Sequence, residues 1–256
     1  MGYGDELMAL GEAQALSDAH EGARVAILDK FLRPRAHPLW RGCTEIATPD
    51  QVAAGTVRHA IINGSGARPY LRGHDDQRFY FVDRYQPKPA RLRFSEAELH
   101  SAAPVVGGVL VEPNLKPKAS PNKAWPWQRW QDLVSASPDI EWIQVGPSNT
   151  RLLDGVRHVV TTDFRAACVV LSQCDAAVLP DGGLHHAAAA VGVSAVVIFG
   201  SFCSPAITGY EEQISLYKAH YVDGSPCGRR FPCHACQERM ESISPEQVRE
   251  ALGTVL

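Results

Sequence analysis

A regular alternation in the second half of the chain limits its architecture more than any other feature. Apolar runs at 105–112, 140–145, 176–179 and 194–199 are separated by helix-patterned stretches at 125–137, 162–173 and 184–191. Short apolar runs bounded by turn residues read as strands covered on both faces. Strand, helix and strand in succession, with short connections, form a parallel sheet with right-handed crossovers. In such open sheets the ligand crevice lies beyond the carboxyl ends of the strands. The loops that follow those strands are therefore where chemistry is expected.

The first half is less regular. Leu7, Leu10, Ala13 and Leu16 make a helical stripe over 5–20, behind a tight loop with Gly2 and Gly4. Strands are expected at 24–29, 59–64 and 79–82, with Pro/Gly-rich loops such as 64–69 between them. Ala102-Ala103-Pro104 reads as the interdomain linker. Ser244-Pro245-Glu246-Gln247 opens a last helix with a capping-box pattern. No apolar run reaches the ~20 residues of a membrane span, and the longest, around 187–200, is broken by Gly192 and Ser194. Asp5, Glu6 and Glu12 near the start are unlike a cationic leader. A cytoplasmic protein is expected.

The net charge of −3 conceals a division. Residues 24–93 hold 13 Lys/Arg against 6 Asp/Glu. Most of that set is arginine, from Arg33, Arg35, Arg41, Arg58, Arg68 and Arg72 to Arg78, Arg84, Arg91 and Arg93. Either an anionic partner for the first half or a mixed solvated surface follows. The seven cysteines do not suggest a disulfide scaffold; Cys43, Cys168 and Cys174 read as small buried hydrophobes.

Four stretches carry the chemistry. Gly2-Tyr3-Gly4-Asp5 places a carboxylate at a helix start, where the helix dipole favours its ionised form. It reads either as a helix cap or as a base for an acceptor hydroxyl. Pro113 to Pro126 follows the first strand of the second half and holds Lys116, Lys118 and Lys123, cations suited to a diphosphate. Leu179-Pro180-Asp181-Gly182-Gly183-Leu184-His185-His186 ends a strand, turns on two glycines and begins a helix of small residues. Unpaired N–H groups at such a start attract anions, and Asp181 and His186 are placed to fix hydroxyls or a leaving phosphate. Last, Cys227, Cys233 and Cys236 are spaced Cys-x5-Cys-x2-Cys with His234 interposed. That pattern fits either a thiol-rich loop or a structural zinc site. No catalytic metal is expected, since no water-activating Glu motif accompanies the cysteines.

These four stretches, in this order, resemble the heptosyltransferases, glycosyltransferase family 9. The resemblance rests on Gly2-x-Gly4-Asp5, on Asn122-Lys123-x-Trp125-Pro126, on Asp181-x-Gly183-Leu184-x-His186, on the cysteine-rich loop and on Ile243-Ser244-Pro245-Glu246-Gln247-Val248. It implies an α/β protein of GT-B type, two Rossmann-like domains with parallel sheets, the N-terminal one reduced. The first, acceptor-binding domain would span 1–104 and the second, nucleotide-sugar-binding domain 105–242. A helix over 243–256 would pack back on the first domain. The implied reaction is an inverting, metal-independent sugar transfer with no cofactor, a nucleotide-diphosphate sugar being the co-substrate. Asp5 matches the catalytic base, Lys123 the diphosphate lysine, and Asp181, Gly183, Leu184 and His186 the donor-binding turn, within which Gly182 is a further donor-binding candidate. Gly4, Lys116, Lys118 and His185 are further candidate contacts. Relative to that family the chain begins at the glycine loop, Gly182 replaces Thr, and His185 replaces Ser or a similar residue. The implied acceptor is anionic, a glycolipid resembling a lipopolysaccharide core. The alternatives are hydroxymethylated bases of viral DNA, contacted through phosphates by residues 24–93, and a nucleotide-sugar-binding protein without catalysis.

Overall fold

Alternate residues of the apolar runs face opposite sides of one sheet, and this organises the molecule. The structure is a computed structural model describing residues 2–83, 85–102, 105–116 and 119–256. Its first half contains α1 (Tyr3–Ala19), β1 (Val25–Leu28), α2 (Pro49–Ala53), β2 (His59–Ile62), β3 (Leu71–His74), β4 (Phe79–Phe81) and α3 (Glu96–Ala102). The second half runs β5 (Val109–Val111), α4 (Trp127–Ser135), β6 (Trp142–Gly146), β7 (Arg157–Val160), α5 (Phe164–Leu171) and β8 (Ala176–Pro180). It continues with α6 (Gly183–Val191), β9 (Ser194–Gly200), α7 (Pro205–Thr208), β10 (Gln213–Tyr217), β11 (Tyr221–Val222), β12 (Ser225–Pro226), α8 (His234–Glu241) and α9 (Pro245–Leu252).

Six strands form one parallel sheet in the order β10-β9-β8-β5-β6-β7. Counted from β5 along the chain, this is the 3-2-1-4-5-6 order of a dinucleotide-binding fold. The order reverses between β5 and β8, so the crevice opens beyond Val111 and Pro180. Leu110, Ile143, Val145, Ala177, Leu179, Val197 and Phe199 point to one core with α5 and α6. Val109, Val111, Trp142, Ala176, Val178, Val196 and Ile198 point to another, with Trp130 and Leu133 of α4, Met240 of α8 and Val248 and Leu252 of α9. The terminal helix thus covers the sheet of the second half rather than returning to the first. Its apolar pair Val248 and Leu252, one turn apart, meets α4 and β9 there.

Among the described residues the first half has only short sheets: β1 and β2 pair in parallel, and β3 and β4 form an antiparallel hairpin. The core of α5 and α6 continues without a break into Leu7, Leu10, Val25, Ile27, Leu39 and Trp40. Helix α1 is buried on nearly every side, between α6 and the β1–β2 pair, which accounts for its glycines. A Cβ on Gly11 would collide with the Lys88 carbonyl. Of the expected boundary, Ala102 ends α3 and is buried, while Ala103 and Pro104 lie outside the described residues.

The arginine surplus proves largely internal. Arg35 meets Glu6 at 2.7 Å, Arg68 meets Asp5 at 3.3 Å, and Arg91 meets Asp18 at 2.7 Å. Arg33, Arg41, Arg72, Arg78 and Arg93 likewise pair with Asp29, Glu98, Asp83, Asp223 and Glu45. Several of these carboxylates lie outside 24–93, so chain segments of opposite charge neutralise one another on folding. The broad cationic face expected for an anionic macromolecule is thereby much reduced; Arg84 lies outside the described residues.

Candidate active site

Beyond the ends of β5 and β8 lies a cleft of about 380 Å³. One wall belongs to the second half: Glu112, Lys116, Ser120, Lys123, the turn Asp181–Leu184, and His186. The other belongs to the first half: Gly2, Gly4, Asp5, Arg68, Tyr70 and the hairpin residues Phe79 and Phe81.

Asp5 is the third residue of α1 and only 7% exposed. Its Oδ2 accepts from the Gly2 N–H at 2.9 Å, and its Oδ1 accepts from the Tyr70 hydroxyl at 2.5 Å. Arg68 Nε stands 3.3 Å from Oδ2. Burial, with the carboxylate beside it, holds the Tyr70 phenol well above its ordinary range, so Tyr70 is a neutral donor. Arg68 and Tyr70 come from the Gly/Pro-rich loop and the residue before β3. Nothing in the local sequence points to them as partners of Asp5, because the pairing spans more than sixty residues.

On the facing wall Lys123 closes the 3₁₀ turn Pro121–Lys123. Its Nζ meets Asp181 Oδ2 at 2.7 Å and lies 4.8 Å from the Phe202 ring centroid. Asp181 is buried, and the Lys123 ammonium is the cation beside it. Lys116 lines the same cleft, its Nζ 2.9 Å from where a Gly2 Cβ would stand. Lys118 lies outside the described residues.

The two histidines divide their roles. His185 is fully buried and does not line the cleft. Its Nδ1 accepts from the Gly182 N–H at 3.0 Å, and its Nε2 lies 3.0 Å from the Thr208 carbonyl, which can only accept. The ring is thus the neutral Nε2–H tautomer, and burial lowers its pKa. His185 is a brace for the Gly182 turn, not a diphosphate contact. It also occupies the Gly182 N–H that an anion at this helix start would otherwise meet. His186 lines the cleft, bonded through Nδ1 to the Tyr210 hydroxyl at 2.9 Å. Burial keeps it neutral, its pKa held well below the ordinary value. Its ring lies against Gly4, where a Cβ would come within 2.5 Å of Cδ2. The missing side chain at Gly4 therefore makes room for His186 while Gly4 itself lines the cleft. Cys203, absent from the motif set, also lines the cleft; burial pushes its thiol up to about 12, leaving it a poor nucleophile.

The cysteine loop holds a further cluster. Cys227, Cys233, Cys236 and His220 place one ligand atom each within 4.8 Å of one another, and the three thiols are buried. Cys227 Sγ to Cys233 Sγ is 3.8 Å, and Cys233 Sγ to His220 Nε2 is 3.9 Å. A tetrahedron with metal–sulfur bonds of about 2.3 Å has edges of about 3.8 Å, so the set fits a Cys₃His structural metal site. His234, the histidine between the cysteines, is not part of it. It is exposed and meets Glu238 one turn on, while His220 comes from the segment before β11.

Similarities to solved structures cover the whole chain. The ADP-heptose lipopolysaccharide heptosyltransferase II of E. coli matches at 17% identity and a TM-score of 0.62, over 100% of this chain and 96% of that one. A glycosyltransferase of family 9 from Veillonella parvula matches at 12% identity and a TM-score of 0.67, over 100% and 94%. The iron-containing dodecameric glycosyltransferase TibC of enterotoxigenic E. coli matches at 14% identity and a TM-score of 0.66, over 100% and 74%. No family model matches, and no curated protein is similar in sequence. At these identities the likeness establishes the fold, which is the GT-B architecture of heptosyltransferases.

Proposed function

We propose that the chain is a glycosyltransferase that moves a sugar from a nucleoside-diphosphate sugar to an acceptor hydroxyl, with inversion and without a metal at the reacting atoms. The observation that carries this reading is the shared cleft: Asp5 on one wall, and Lys123 with the turn Asp181–Leu184 on the other. The acceptor hydroxyl gives its proton to the Asp5 carboxylate as its oxygen bonds to the anomeric carbon. The bond from that carbon to the diphosphate oxygen breaks on the opposite face. Lys123 and the first-turn N–H groups of α6 take the negative charge that develops there. Tyr70 and the Gly2 N–H hold the Asp5 carboxylate in place throughout.

The donor segment of this reading is 105–242, with 1–104 holding the acceptor and 243–256 as a terminal helix. Lys116 and Arg68, both lining the cleft, suit an acceptor carrying phosphate, as a lipopolysaccharide-core-like glycolipid does. The internal pairing of the first-half arginines disfavours DNA. No helix among the described residues is long and apolar enough to cross a membrane, and the reading puts the protein in the cytoplasm.

A thermal-shift and calorimetric panel of nucleoside diphosphates and nucleotide sugars tests this. A cognate donor raises the melting temperature by mass action. Lys123→Met weakens nucleoside-diphosphate binding about 10-fold to 100-fold, the range of a lost charged hydrogen bond. Asp5→Asn abolishes transfer while keeping donor affinity. A wild-type chain that binds donor and turns over none of a broad acceptor panel is a binding protein, and one that binds none refutes the reading.

A further inference from the structure

The cysteine loop lies between the two walls of the cleft and is hydrogen-bonded to both. On the donor side, Asn122 is 1% exposed and fully engaged. Its Nδ2 donates to the Arg229 and Phe231 carbonyls, each at 2.9 Å, and its Oδ1 accepts from the Cys233 N–H at 2.8 Å. Ser120 Oγ donates to the same Arg229 carbonyl at 2.7 Å. The 3₁₀ turn that ends in Lys123 is therefore tied to the loop at four points. On the other side, Phe79 N–H donates to the Gly228 carbonyl at 2.8 Å, and Arg230 N–H to the Gln77 carbonyl at 2.8 Å. Arg78, buried, donates through Nη2 to the carbonyls of Val222 and Pro226, each at 3.2 Å. Gly228 has φ +59°, and a Cβ there would collide with the Phe79 carbonyl, so the approach depends on glycine. The β3–β4 hairpin is thus stitched to the loop by its backbone. Tyr70, which donates to Asp5, stands next to β3, and Val82 N–H donates to the Tyr70 carbonyl at 2.9 Å.

The segment 227–233 holds both walls yet has little regular structure of its own. Its own packing is a satellite core of Cys227, Cys233 and Cys236, with Val222 and Ala235 against it. Three buried thiols and an imidazole are too small a core to fix a loop of this length by apolar burial alone. One ion bound by all four groups does so, because each ligand becomes a fixed point.

We propose that a single thiolate-binding cation held by His220, Cys227, Cys233 and Cys236 is the clasp that sets the distance between the cleft walls, with Asn122 as the positioning residue that passes its constraint to Lys123. The inference rests on the cleft being a nucleotide-sugar site. Zinc and iron both suit this donor set, and elemental analysis of the full chain separates them.

The test uses full-length protein, as purified, stripped by chelator, and reloaded with zinc or ferrous iron. One metal per chain is expected. Stripping should raise hydrogen exchange in 71–81 and 119–124 and leave the central strand 176–180 unchanged. Dissociation constants for ADP and UDP are then measured on each form, and the one that binds should weaken at least about tenfold on stripping and recover on reloading. Asn122→Ala should keep one metal per chain and yet weaken the same nucleotide about tenfold. A chain that takes up no metal, or unchanged exchange on both walls after stripping, overturns the clasp. So does Asn122→Ala binding like wild type. If neither nucleotide binds any form, hydrogen exchange decides the clasp by itself, and the wider nucleotide panel decides the transferase reading.

Discussion

Glu112 sits at the carboxyl end of β5, on the floor of the cleft, and its burial should be visible in stability as a function of pH. Its Oε1 accepts from Asn114 N–H at 2.8 Å and from Asn114 Nδ2 at 2.7 Å. Its Oε2 is buried and makes no full hydrogen bond, although the Gln144 side chain stands close enough to favour the charged form. Burial pushes the carboxyl up from 4.5 to about 7, against the opposing effect of Asn114 and Gln144. The folded chain therefore binds this proton more tightly than the unfolded one. Between pH ~4.5 and ~7 stability falls as pH rises, and above pH ~7 the whole penalty persists. The rise from 4.5 to about 7 corresponds to about 3 kcal/mol. Glu112→Gln removes the charge while keeping the acceptor for Asn114. Its amide nitrogen inherits the Oε2 site, which offsets about 1 kcal/mol. The variant should be about 2 kcal/mol more stable than wild type at pH 8, and no more stable at pH 4. Urea midpoints of both proteins from pH 4 to 9 provide the measurement. Parallel curves across that range would show that Glu112 does not titrate near neutrality, and the argument from its burial would be wrong.

Two further outcomes follow from the contacts between the halves. Gly4→Ala drives a methyl group into the His186 ring; it should cost about 1–3 kcal/mol, as overpacking does, and thermal denaturation that leaves the variant at wild-type stability would contradict the packing of α1 on α6. Glu98 hydrogen-bonds Arg165, which holds its carboxyl down to about 2. That stabilisation is present above pH ~4.5 and lost as pH falls through about 2, so the stability gap between wild type and Glu98→Gln should be widest near neutrality and close in acid. A gap that stays constant down to pH 2 would rule out the Arg165 pairing as its cause.

The parallel sheet was legible because its signals are local. The apolar runs at 176–179 and 194–199 correspond to β8 and β9 within a residue or so, since strands covered on both faces must be apolar throughout. Strands β7 and β10 escaped notice because they are the edges. Arg157, His158 and Gln213 interrupt their apolar character, as one half-solvated side permits. Hairpin β3–β4 carries Gly73, Arg72 and His74, and its pairing owes as much to Gly228 across the loop as to its own residues.

The candidate site divides along the same line. Asp5, Lys123 and the Asp181–Leu184 turn were readable because each sits where a single element begins or ends, and such positions carry their own punctuation in glycine and proline. Arg68, Tyr70, Asn122 and His220 were not, since each matters through a partner tens of residues away. His220 and His234 make the physical point. Sequence proximity favours His234, one residue from Cys233, but at the first position of α8 its side chain projects into solvent toward Glu238. The β11–β12 turn, with Asp223 at φ +54° and Gly224 at φ +74°, instead folds the chain back so that His220 faces the three thiols. The same turn brings the Val222 and Pro226 carbonyls to the Arg78 guanidinium. A two-residue reversal thus brings His220 to the three thiols and stitches the first-half hairpin in one stroke. Asp223→Pro, which cannot adopt that positive φ, should disturb both together if the two walls share one clasp.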